Sequence, residues 1–524
     1  MARYIIGAHS GHDASACLFK DNTLVCAIAK ERLTRKKHDS GEPVECIEYL
    51  LDACKLCKSE IDMVVRCNWY DSRELDDAYY NGFKNVKINK NHHLFHAYAL
   101  SLANNGGCDM LALILDGRGC RLEDAGELNI AGANLFESES VYKITGNRII
   151  PMEKMYAEHF PNEYKWGSHL NSVGYAYATV SKAVFQSAHA AGKIMALAAF
   201  GKENANIPQV FCDNIRFEVN REWLSYIENL VLPINFADDM AKDLSYSVQS
   251  ALERYIELRV KSLVDSYLIN TIGISGGVAL NCKNNRIIAN KPYISKLLVF
   301  PASGDDGLSI GAALWAIREI FNDWREVVWD IRLGKIYRQT VFDESAINRV
   351  VKLLLNGECI GLFENGSEYG PRALCNRSLI ADAMDVKMKD YMNIKVKERE
   401  QFRPFGGVVL ARNLKMITSD KLANPYMLSA AIIKPEYQNR IPALVHADGT
   451  VRLQVVSDKN TSIYKILEEY ERETGGMVLI NTSFNSKDEP IVETENEAFA
   501  SAKKMGIHYM LSSGTLKEIL SRGI

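Results

Sequence analysis

The sequence predicts a mixed α/β fold divided into two or three domains. Its 524 residues are too many for one hydrophobic core. Short apolar runs of strand length alternate with longer segments of helical periodicity, as in layered α/β proteins. The character of the chain changes near residues 330–342, and dense cationic motifs follow this connector.

The predicted elements are justified by apolar runs and turn residues. At the N-terminus, two apolar runs flank the polar turn Lys20–Asn22, which predicts a β-hairpin. Strands are expected over Tyr4–Gly7, Ala14–Phe19, Leu24–Ala29, Ile61–Cys67, Met110–Leu115, Thr271–Ser275 and 358–363. Helices are expected over 43–57, His92–Ala103, 170–200, about 240–268, Ser309–Phe321 and 344–356. No internal repeat is visible in the sequence.

The composition argues against several classes of protein. The 62 basic and 65 acidic residues leave a net charge of -3, whereas a dedicated nucleic-acid-binding protein usually carries a basic excess. No apolar run reaches membrane-spanning length, and the N-terminus does not resemble a signal peptide. The 12 cysteines are scattered, so we expect reduced thiols in a cytoplasmic protein. Cys54 and Cys57 form a single CxxC, which we interpret as structural.

Two histidines one helical turn apart are the first candidate site. His92 and His96 share one helix face and could bind one cation. Asp116 and Asp305 each follow an apolar run and stand beside glycine, where a strand would present them to a cleft. Two imidazoles and two carboxylates suit iron(II), manganese or zinc. Histidines satisfied within a core remain the alternative.

Glycine turns form a second group of candidates in the same half. Gly276-Gly277, followed by Asn281, could present backbone N–H groups to phosphate, or could simply be a tight turn. Lys193 could be a solvated helix residue or could face phosphate. His12, beside Asp13, could act as a base with an oriented tautomer or occupy a turn.

The second half carries cations from separate segments. Guanidinium groups match the geometry of phosphate and carboxylate, and lysine adds a point charge. The residues concerned are Arg372, Arg377, Lys397, Arg399, Arg403 and Arg452. A charge run such as 395–399 could instead be a solvated helix face. Asn481–Asn485, predicted as a polar turn after the strand Met477–Ile480, offers groups that could orient a small planar ligand.

These motifs together resemble the carbamoyltransferases of secondary metabolism, the group of the nodulation-factor, cephamycin and tobramycin carbamoylating enzymes. The resemblance spans nearly the whole chain. It is carried by Gly11–Ser15, Glu31–Asp39, His92–His96, Leu115–Gly117, Gly192–Met195, Ser275–Asn281, Gly304–Gly311, Gly370–Leu374, Asn376–Ser378, Lys397–Phe405, His446–Gln454, Asn481–Asn485 and Glu489–Val492.

The resemblance implies an actin-like, ribonuclease-H-like ATPase-type domain at 1–338 and a YrdC-like domain at 339–524. It implies that carbamoyl phosphate and ATP form a carbamoyl-adenylate in the second domain. A hydroxyl of a small natural product would then take the carbamoyl group in the first. The alternatives are an N-carbamoyl or tRNA threonylcarbamoyl-type transferase, or a non-catalytic actin-like nucleotide-binding protein. No nucleic-acid or membrane partner is expected, and the oligomeric state stays open.

The resemblance also implies the roles of individual residues. The metal, expected to be iron(II) with manganese or zinc as alternatives, would be bound by His92, His96, Asp116 and Asp305. His12 is the candidate base. Gly276, Gly277 and Asn281 match the nucleotide turn, with Lys193 a further candidate near phosphate. The carbamoyl phosphate pocket would comprise Arg372, Lys397, Arg403, Arg452, Ser483 and Asn485, with Lys397 and Arg403 catalytic.

This sequence departs from the family pattern at a few positions, and the acceptor is not readable from it. Cys375 stands where the family usually has glycine, and Gly406-Gly407 where Ala-Pro is common. Arg118 and Cys120 near Asp116, and Ala196 after Met195, are also unusual. We expect acceptor specificity to reside in loops 68–90 and 145–170.

Overall fold

A computed structural model describes residues 2–67, 77–104, 107–124, 134–165, 167–212 and 218–519. Within these residues the chain forms mixed α/β layers around three sheets. None of the helices in these ranges is both long enough and apolar enough to cross a membrane. The 12 cysteines are all free thiols, and most are buried or half-buried, as the sequence predicts.

The first sheet is built by the N-terminal hairpin and two parallel strands. Its strands are β1 Tyr4–His9, β2 Ser15–Lys20, β3 Thr23–Ala29, β4 Met63–Cys67 and β5 Val86–Asn89. Their order is β3-β2-β1-β4-β5, with β1 antiparallel to β2 and parallel to β4. Helices in this region are α1 Lys30–Thr34, α2 Val44–Cys54, α3 Asp77–Tyr80 and α4 His92–Asn104.

The second sheet repeats this topology. Its strands are β6 Met110–Leu115, β7 Leu135–Thr145, β8 Arg148–Tyr164, β9 Gly167–Leu170, β10 Thr271–Ser275 and β11 Lys296–Val299. An antiparallel β6-β7-β8 meander is followed by β10 and β11 parallel to β6. Its helices are α5 Val173–Phe185, α6 Ala191–Leu197, α7 Arg221–Glu228, α8 Asp239–Tyr267, α9 Cys282–Ala289 and α10 Leu308–Trp315. The two sheets therefore share one strand topology, although no repeat is visible in the sequence.

The third sheet lies entirely in the C-terminal part. Its strands are β12 Ile360–Phe363, β13 Arg377–Asp382, β14 Gly406–Leu410, β15 Tyr426–Ile432, β16 Thr450–Val456, β17 Val478–Ser483, β18 Tyr509–Ser512 and β19 Thr515–Glu518. Their order is β15-β16-β14-β17-β13-β12-β18-β19. Its helices are α11 Glu344–Leu355, α12 Val386–Tyr391, α13 Leu414–Ile417, α14 Pro435–Gln438, α15 Ser462–Thr474 and α16 Glu495–Lys504.

Two expected elements differ from the structure. The helical region predicted over 170–200 is broken between α5 and α6, where Gln186 adopts a positive φ of 55°. The polar turn predicted at Asn481–Asn485 is wrong in part, because β17 continues through Ser483. Cross-strand hydrogen bonding to β13 and β14 extends the strand beyond its apolar residues.

The two halves are joined by polar contacts as well as by the connector. The Arg35 guanidinium donates to the carbonyl oxygens of Pro490 and Ile491, at 2.8 and 2.7 Å. The Tyr49 hydroxyl donates to Glu493 at 2.6 Å. The segment 30–39 therefore belongs to the first sheet region while holding a loop of the C-terminal half.

Candidate functional site

The predicted metal-binding side chains converge on one point. His92 and His96 lie on the first turns of α4, Asp116 follows β6, and Asp305 precedes α10. The His92 Nε2 atom lies 2.9 Å from Asp116 Oδ2, 3.2 Å from His96 Nε2 and 3.6 Å from Asp305 Oδ1. All four ligand atoms lie within 4.8 Å of one another. Ligand atoms around a bound transition metal are spaced roughly 3–4 Å apart, so the donor set fits such an ion.

The electrostatics of this cluster favour a cation. Burial lowers the pKa of His96, but Asp116 and Asp305 outweigh burial and raise it to about 9. Burial raises the pKa of Asp116, yet His92 and His96 hold it well below its usual range. His93, which is not among the predicted ligands, instead hydrogen-bonds Ser140 Oγ at 2.8 Å. The helix thus presents two of its three histidines to the carboxylates.

His12 lies beside this cluster and is oriented by Asp13. Its Nδ1 is 2.9 Å from Asp13 Oδ2 and 4.0 Å from Asp305 Oδ2. Burial lowers the pKa of His12, but the carboxylates outweigh burial and raise it to about 9. The His12 ring also stacks on His38 and His189, with ring centroids 5.5 and 4.8 Å away.

The turn at Gly276-Gly277 contacts Asp116 of the cluster formed with His92, His96 and Asp305. Gly276 has a φ of 91°, and a Cβ atom there would lie 2.2 Å from the Leu115 carbonyl oxygen, so only glycine fits. The Gly277 N–H faces Asp116 Oδ1 at 3.3 Å. Asn281 caps helix α9 by accepting from the Asn284 N–H and donates to Gln249. The turn therefore supports Asp116, and the Asn281 amide is engaged within the protein.

A cavity of about 880 Å³ lies between the halves and brings the predicted anion-binding residues together. Its lining includes every residue predicted for the carbamoyl phosphate pocket and Lys193. The predicted residues in the wall are Lys193, Arg372, Lys397, Arg403, Arg452, Ser483 and Asn485. Gly276, Gly277 and Asn281 are not part of its lining among the described residues. His38 and His189 are, so the wall continues to His12.

The arginines of this cavity are half-buried and repel one another, and three of them each have one fully buried nitrogen. Burial, with the charges of Arg452 and Arg403, lowers the pKa of Arg372 to about 9. Burial, Arg403 and Arg452 likewise hold the pKa of Arg399 well below its usual range. Among the described residues, Arg372 Nε, Arg399 Nη2 and Arg452 Nε are buried nitrogens without a hydrogen-bond partner. Buried, unpaired cationic groups are costly unless an anion compensates them.

Two lysines of the wall are engaged by protein groups. Lys397 is buried, and its Nζ lies 2.8 Å from Ser483 O, 2.7 Å from Asn485 O and 2.9 Å from Asn485 Oδ1. Its three donors therefore hold the end of β17 in place. Lys193 pairs with Glu400 Oε1 at 2.7 Å. Both contribute charge to the cavity, but neither ammonium is left without a partner.

Some residues of the site were not predicted. His38 lies within the motif Glu31–Asp39, but the sequence offered no role for it. His189 stands alone in an alanine-rich region, and no spacing marks it. Their approach to His12 depends on packing between segments far apart in the chain. Of the loops predicted to govern the acceptor, residues 68–76 and 166 lie outside the described residues.

Carbamoyl-group transferases are the class that comparison with known proteins assigns to this chain. The family description "Carbamoyltransferase N-terminus" matches residues 4–106 and 82–314, and "Carbamoyltransferase C-terminus" matches 351–518. The chain belongs to the carbamoyltransferase family and is a transferase. The predicted resemblance is confirmed.

Relatives extend over much of the chain. An uncharacterized protein of Synechocystis sp. is 25% identical, covering 95% of this chain and 94% of that protein. The nodulation protein NolNO of Sinorhizobium fredii is 26% identical over 93% of this chain and 76% of its own length. The 3'-hydroxymethylcephem-O-carbamoyltransferase of Amycolatopsis lactamdurans is 28% identical over 46% of this chain and 48% of its own. Among solved structures, the activator of the 2-hydroxyisocaproyl-CoA dehydratase from Clostridium difficile covers 61% of this chain and 96% of its own, with 13% identity and a TM-score of 0.37.

Proposed function

We propose that the protein is an ATP-dependent O-carbamoyltransferase. One water hydrolyses carbamoyl phosphate to carbamate and phosphate, and the carbamate oxygen then attacks the α-phosphate of ATP to form carbamoyl-adenylate and release pyrophosphate, in the cavity between the halves whose cations come mainly from residues 339–524. In the 1–338 domain the hydroxyl oxygen of a small natural product then attacks the carbamoyl carbon, AMP leaves, and the hydroxyl proton passes to a base. The observation that carries this proposal is the set of half-buried, mutually repelling arginines at the cavity, of which Arg372, Arg399 and Arg452 each have one buried nitrogen without a hydrogen-bond partner among the described residues.

These arginines suit a small anion such as carbamoyl phosphate, whose oxygen atoms can accept paired hydrogen bonds from a guanidinium group. Arg372, Arg403 and Arg452 come from different segments, so their guanidinium groups approach the cavity from several sides. Such fixed donors stabilise charge that develops on a transferring phosphoryl or carbamoyl group. Because the cavity lies between the halves, it also keeps a reactive adenylate away from bulk water. Lys397 positions Ser483 and Asn485 for the same ligand.

The acceptor would react beside the cluster of histidines and carboxylates. His92, His96, Asp116 and Asp305 would hold a divalent ion, for which iron(II) is our choice. When bound, such an ion supplies Lewis acidity that lowers the cost of deprotonating an alcohol. His12, held by Asp13, would accept the hydroxyl proton at Nε2. A cation at Asp305 would offset one of the carboxylate charges that raise the His12 pKa.

The proposal includes the fold of each domain and transfer to oxygen. The repeated strand order of the first two sheets supports an actin-like, ribonuclease-H-like N-terminal domain, and we assign a YrdC-like C-terminal domain with it. Transfer to oxygen is favoured over transfer to nitrogen because one relative is named as an O-carbamoyltransferase. A net charge of -3 favours a small acceptor over tRNA.

Pyrophosphate release tests the donor half without knowledge of the acceptor. Purified protein is incubated with carbamoyl phosphate, ATP and Mg²⁺. We expect release that depends on carbamoyl phosphate and falls about tenfold or more in Arg403→Ala and Arg452→Ala, since each removes a charge-assisted contact. Arg412→Ala is the control, because its guanidinium binds Glu468 and Glu471 away from the cavity. Wild-type protein that releases no pyrophosphate would refute the proposal.

Elemental analysis tests the acceptor half. The variant His92→Ala/His96→Ala should lose iron that the wild type retains after purification. His508→Ala should keep it, because His508 pairs with Glu358 in the C-terminal half. Equal iron content in wild type and double variant would contradict the ligand assignment.

A further inference from the structure

We infer that His12, His38 and His189 form a second transition-metal site, of the kind that takes Zn²⁺, in the wall of the cavity. It is separate from the cluster of His92, His96, Asp116 and Asp305. Each of the three histidines offers one ring nitrogen, and these atoms lie within 4.8 Å of one another.

The distances fit imidazole ligands. The His12 Nε2 atom lies 3.2 Å from His189 Nδ1. Nitrogens bound to one Zn²⁺ at about 2.0–2.1 Å lie roughly 3.3 Å apart in tetrahedral geometry. The ring centroids of His38 and His189 are 4.3 Å apart. Three histidines with a position left open to the cavity form a ligand set that zinc favours.

Asp13 orients two of the three histidine rings. Its Oδ2 accepts from His12 Nδ1 at 2.9 Å, and its Oδ1 accepts from His38 Nδ1 at 2.8 Å. One carboxylate therefore fixes both rings in the tautomer that leaves Nε2 as the electron-pair donor. A carboxylate that orients ligating imidazoles in this way is the usual outer shell of a histidine–metal site. Asp13 has a positive φ of 55°, a conformation that costs energy and that places its carboxylate between the two rings.

His189 completes the set from the exposed side. Its Nδ1 faces His12 Nε2 at 3.2 Å, and its ring stacks on that of His38. The rings of His12 and His189 lie within 19° of parallel, so their lone pairs do not yet converge. Binding of one ion by all three rings would therefore require the exposed His189 ring to turn about its Cβ–Cγ bond.

Metal bound at this site would affect the proposed transfer reaction. Only this consequence, and not the metal binding, rests on the proposed function. A metal on His12 Nε2 removes the proton acceptor for the hydroxyl. Zinc would therefore inhibit transfer to the acceptor, while the cluster at Asp116 kept its own ion. The binding itself does not require that the protein form or transfer a carbamoyl group.

Metal stoichiometry tests the inference. The full-length protein, stripped with a chelator, is dialysed against buffered Zn²⁺ without ATP or carbamoyl phosphate, and bound zinc is measured. We expect two equivalents per chain in the wild type. His38→Ala and His189→Ala should each bind one equivalent less, and His92→Ala/His96→Ala should also lose one. Co²⁺ in place of zinc should give visible d–d absorption that weakens in His189→Ala.

Controls separate this inference from the proposed function. His508→Ala should retain two equivalents. A wild type with one equivalent that disappears entirely in His92→Ala/His96→Ala would overturn the second site. The second site would also be overturned if His38→Ala and His189→Ala both bound as much zinc as the wild type. Absence of pyrophosphate release alongside two zinc equivalents would refute the carbamoyl chemistry and leave the metal site standing.

Discussion

At the scale of single residues, Cys375 has a side chain at a position whose backbone conformation favours glycine. Its φ is 70°, in the left-handed region where a Cβ is unfavourable. The thiol is buried and lies 3.2 Å from Gln454 Oε1 and 3.3 Å from Asn481 Nδ2. The backbone here adopts a conformation that suits glycine, and the cysteine side chain makes two polar contacts.

At most positions an alanine variant is more stable than a glycine variant, and we expect the opposite order of stability at Cys375. Cys375→Gly relieves the left-handed strain, whereas Cys375→Ala keeps it, and both lose the thiol. We expect the glycine variant to be more stable by about 1 kcal/mol in urea unfolding. Cys359 is the control, because it is also buried but has no positive φ. There alanine should be the more stable by roughly 0.5–1 kcal/mol. The same order at both sites would contradict the argument.

A second residue-scale prediction concerns Glu137, buried behind helix α4. Burial raises its pKa, but the charges of His93 and Lys154 and a hydrogen bond from Cys120 outweigh burial and lower it to about 2. A depressed pKa in the folded state stabilises the fold above the unfolded pKa of about 4.3. That contribution is lost as pH falls from there toward 2.

Lys154→Met should expose this dependence. The 3.0 Å ion pair with Glu137 is lost, so a buried carboxylate is left uncompensated. We expect a loss of roughly 3 kcal/mol at pH 7 and a smaller loss at pH 4, where Glu137 can take up a proton. Urea unfolding at several pH values measures this. Lys84→Met, which breaks a surface pair with Asp62, should cost less than about 1 kcal/mol at each pH. A pH-independent cost at Lys154 would contradict the prediction.

At the scale of elements, periodic segments were predictable and irregular joins were not. Helices α2, α8 and α11 lie close to their predicted ranges because each carries a sustained apolar pattern. The break after α5 was missed, since alanine-rich sequence continues through it and only the backbone at Gln186 turns away. The convergence of His92, His96, Asp116 and Asp305 was predictable because the two histidines share a helix face and each aspartate stands beside a glycine after an apolar run. The approach of His38 and His189 depends on tertiary packing alone.

The contact between α4 and α10 gives an element-scale prediction. A Cβ on Gly311 would lie 2.0 Å from the Phe95 carbonyl oxygen, so α10 can approach the histidine-bearing helix only through glycine. Gly311→Ala should separate α4 from the Asp305 turn. We expect at least about 2 kcal/mol of destabilisation and reduced iron content by elemental analysis. Gly192→Ala, with open space around it, should be neutral or slightly stabilising. A Gly311→Ala protein with wild-type stability and iron would refute this.

At the scale of the whole molecule, the repeated topology of the first two sheets was hidden from the sequence because their side chains differ while their strand order agrees. The segment 330–342, which we expect to be a connector, lies between α10 and α11 and contains no named helix or strand. The clamp formed by Arg35 was not predictable, because a carbonyl partner leaves no mark on the sequence. Its fork holds the loop of Pro490 and Ile491 against the N-terminal half.

Arg35→Lys should loosen this clamp. Lysine keeps the charge near Glu497 but cannot reach both carbonyl groups as a guanidinium does. We expect a loss of about 1–2 kcal/mol in urea unfolding and faster limited proteolysis within the connector 330–342. Arg412→Lys is the matched control, because its partners lie within the C-terminal half. Equal cleavage rates for the two variants would argue against a clamp.

The two oxygens of Asp116 face different neighbours: Oδ2 looks toward His92, while Oδ1 receives the backbone N–H of Gly277. An ion bound to Oδ2 would withdraw charge from the carboxylate and make Oδ1 a weaker acceptor for the Gly277 N–H. A ligand that changes the conformation of the Gly276-Gly277 turn would in return change the affinity of Oδ2 for the ion. Thermodynamic reciprocity then requires that the ion and the ligand each change the other's affinity by the same factor. Through the carboxylate of Asp116, binding of an ion at Oδ2 and binding of a ligand at the glycine turn would be thermodynamically coupled.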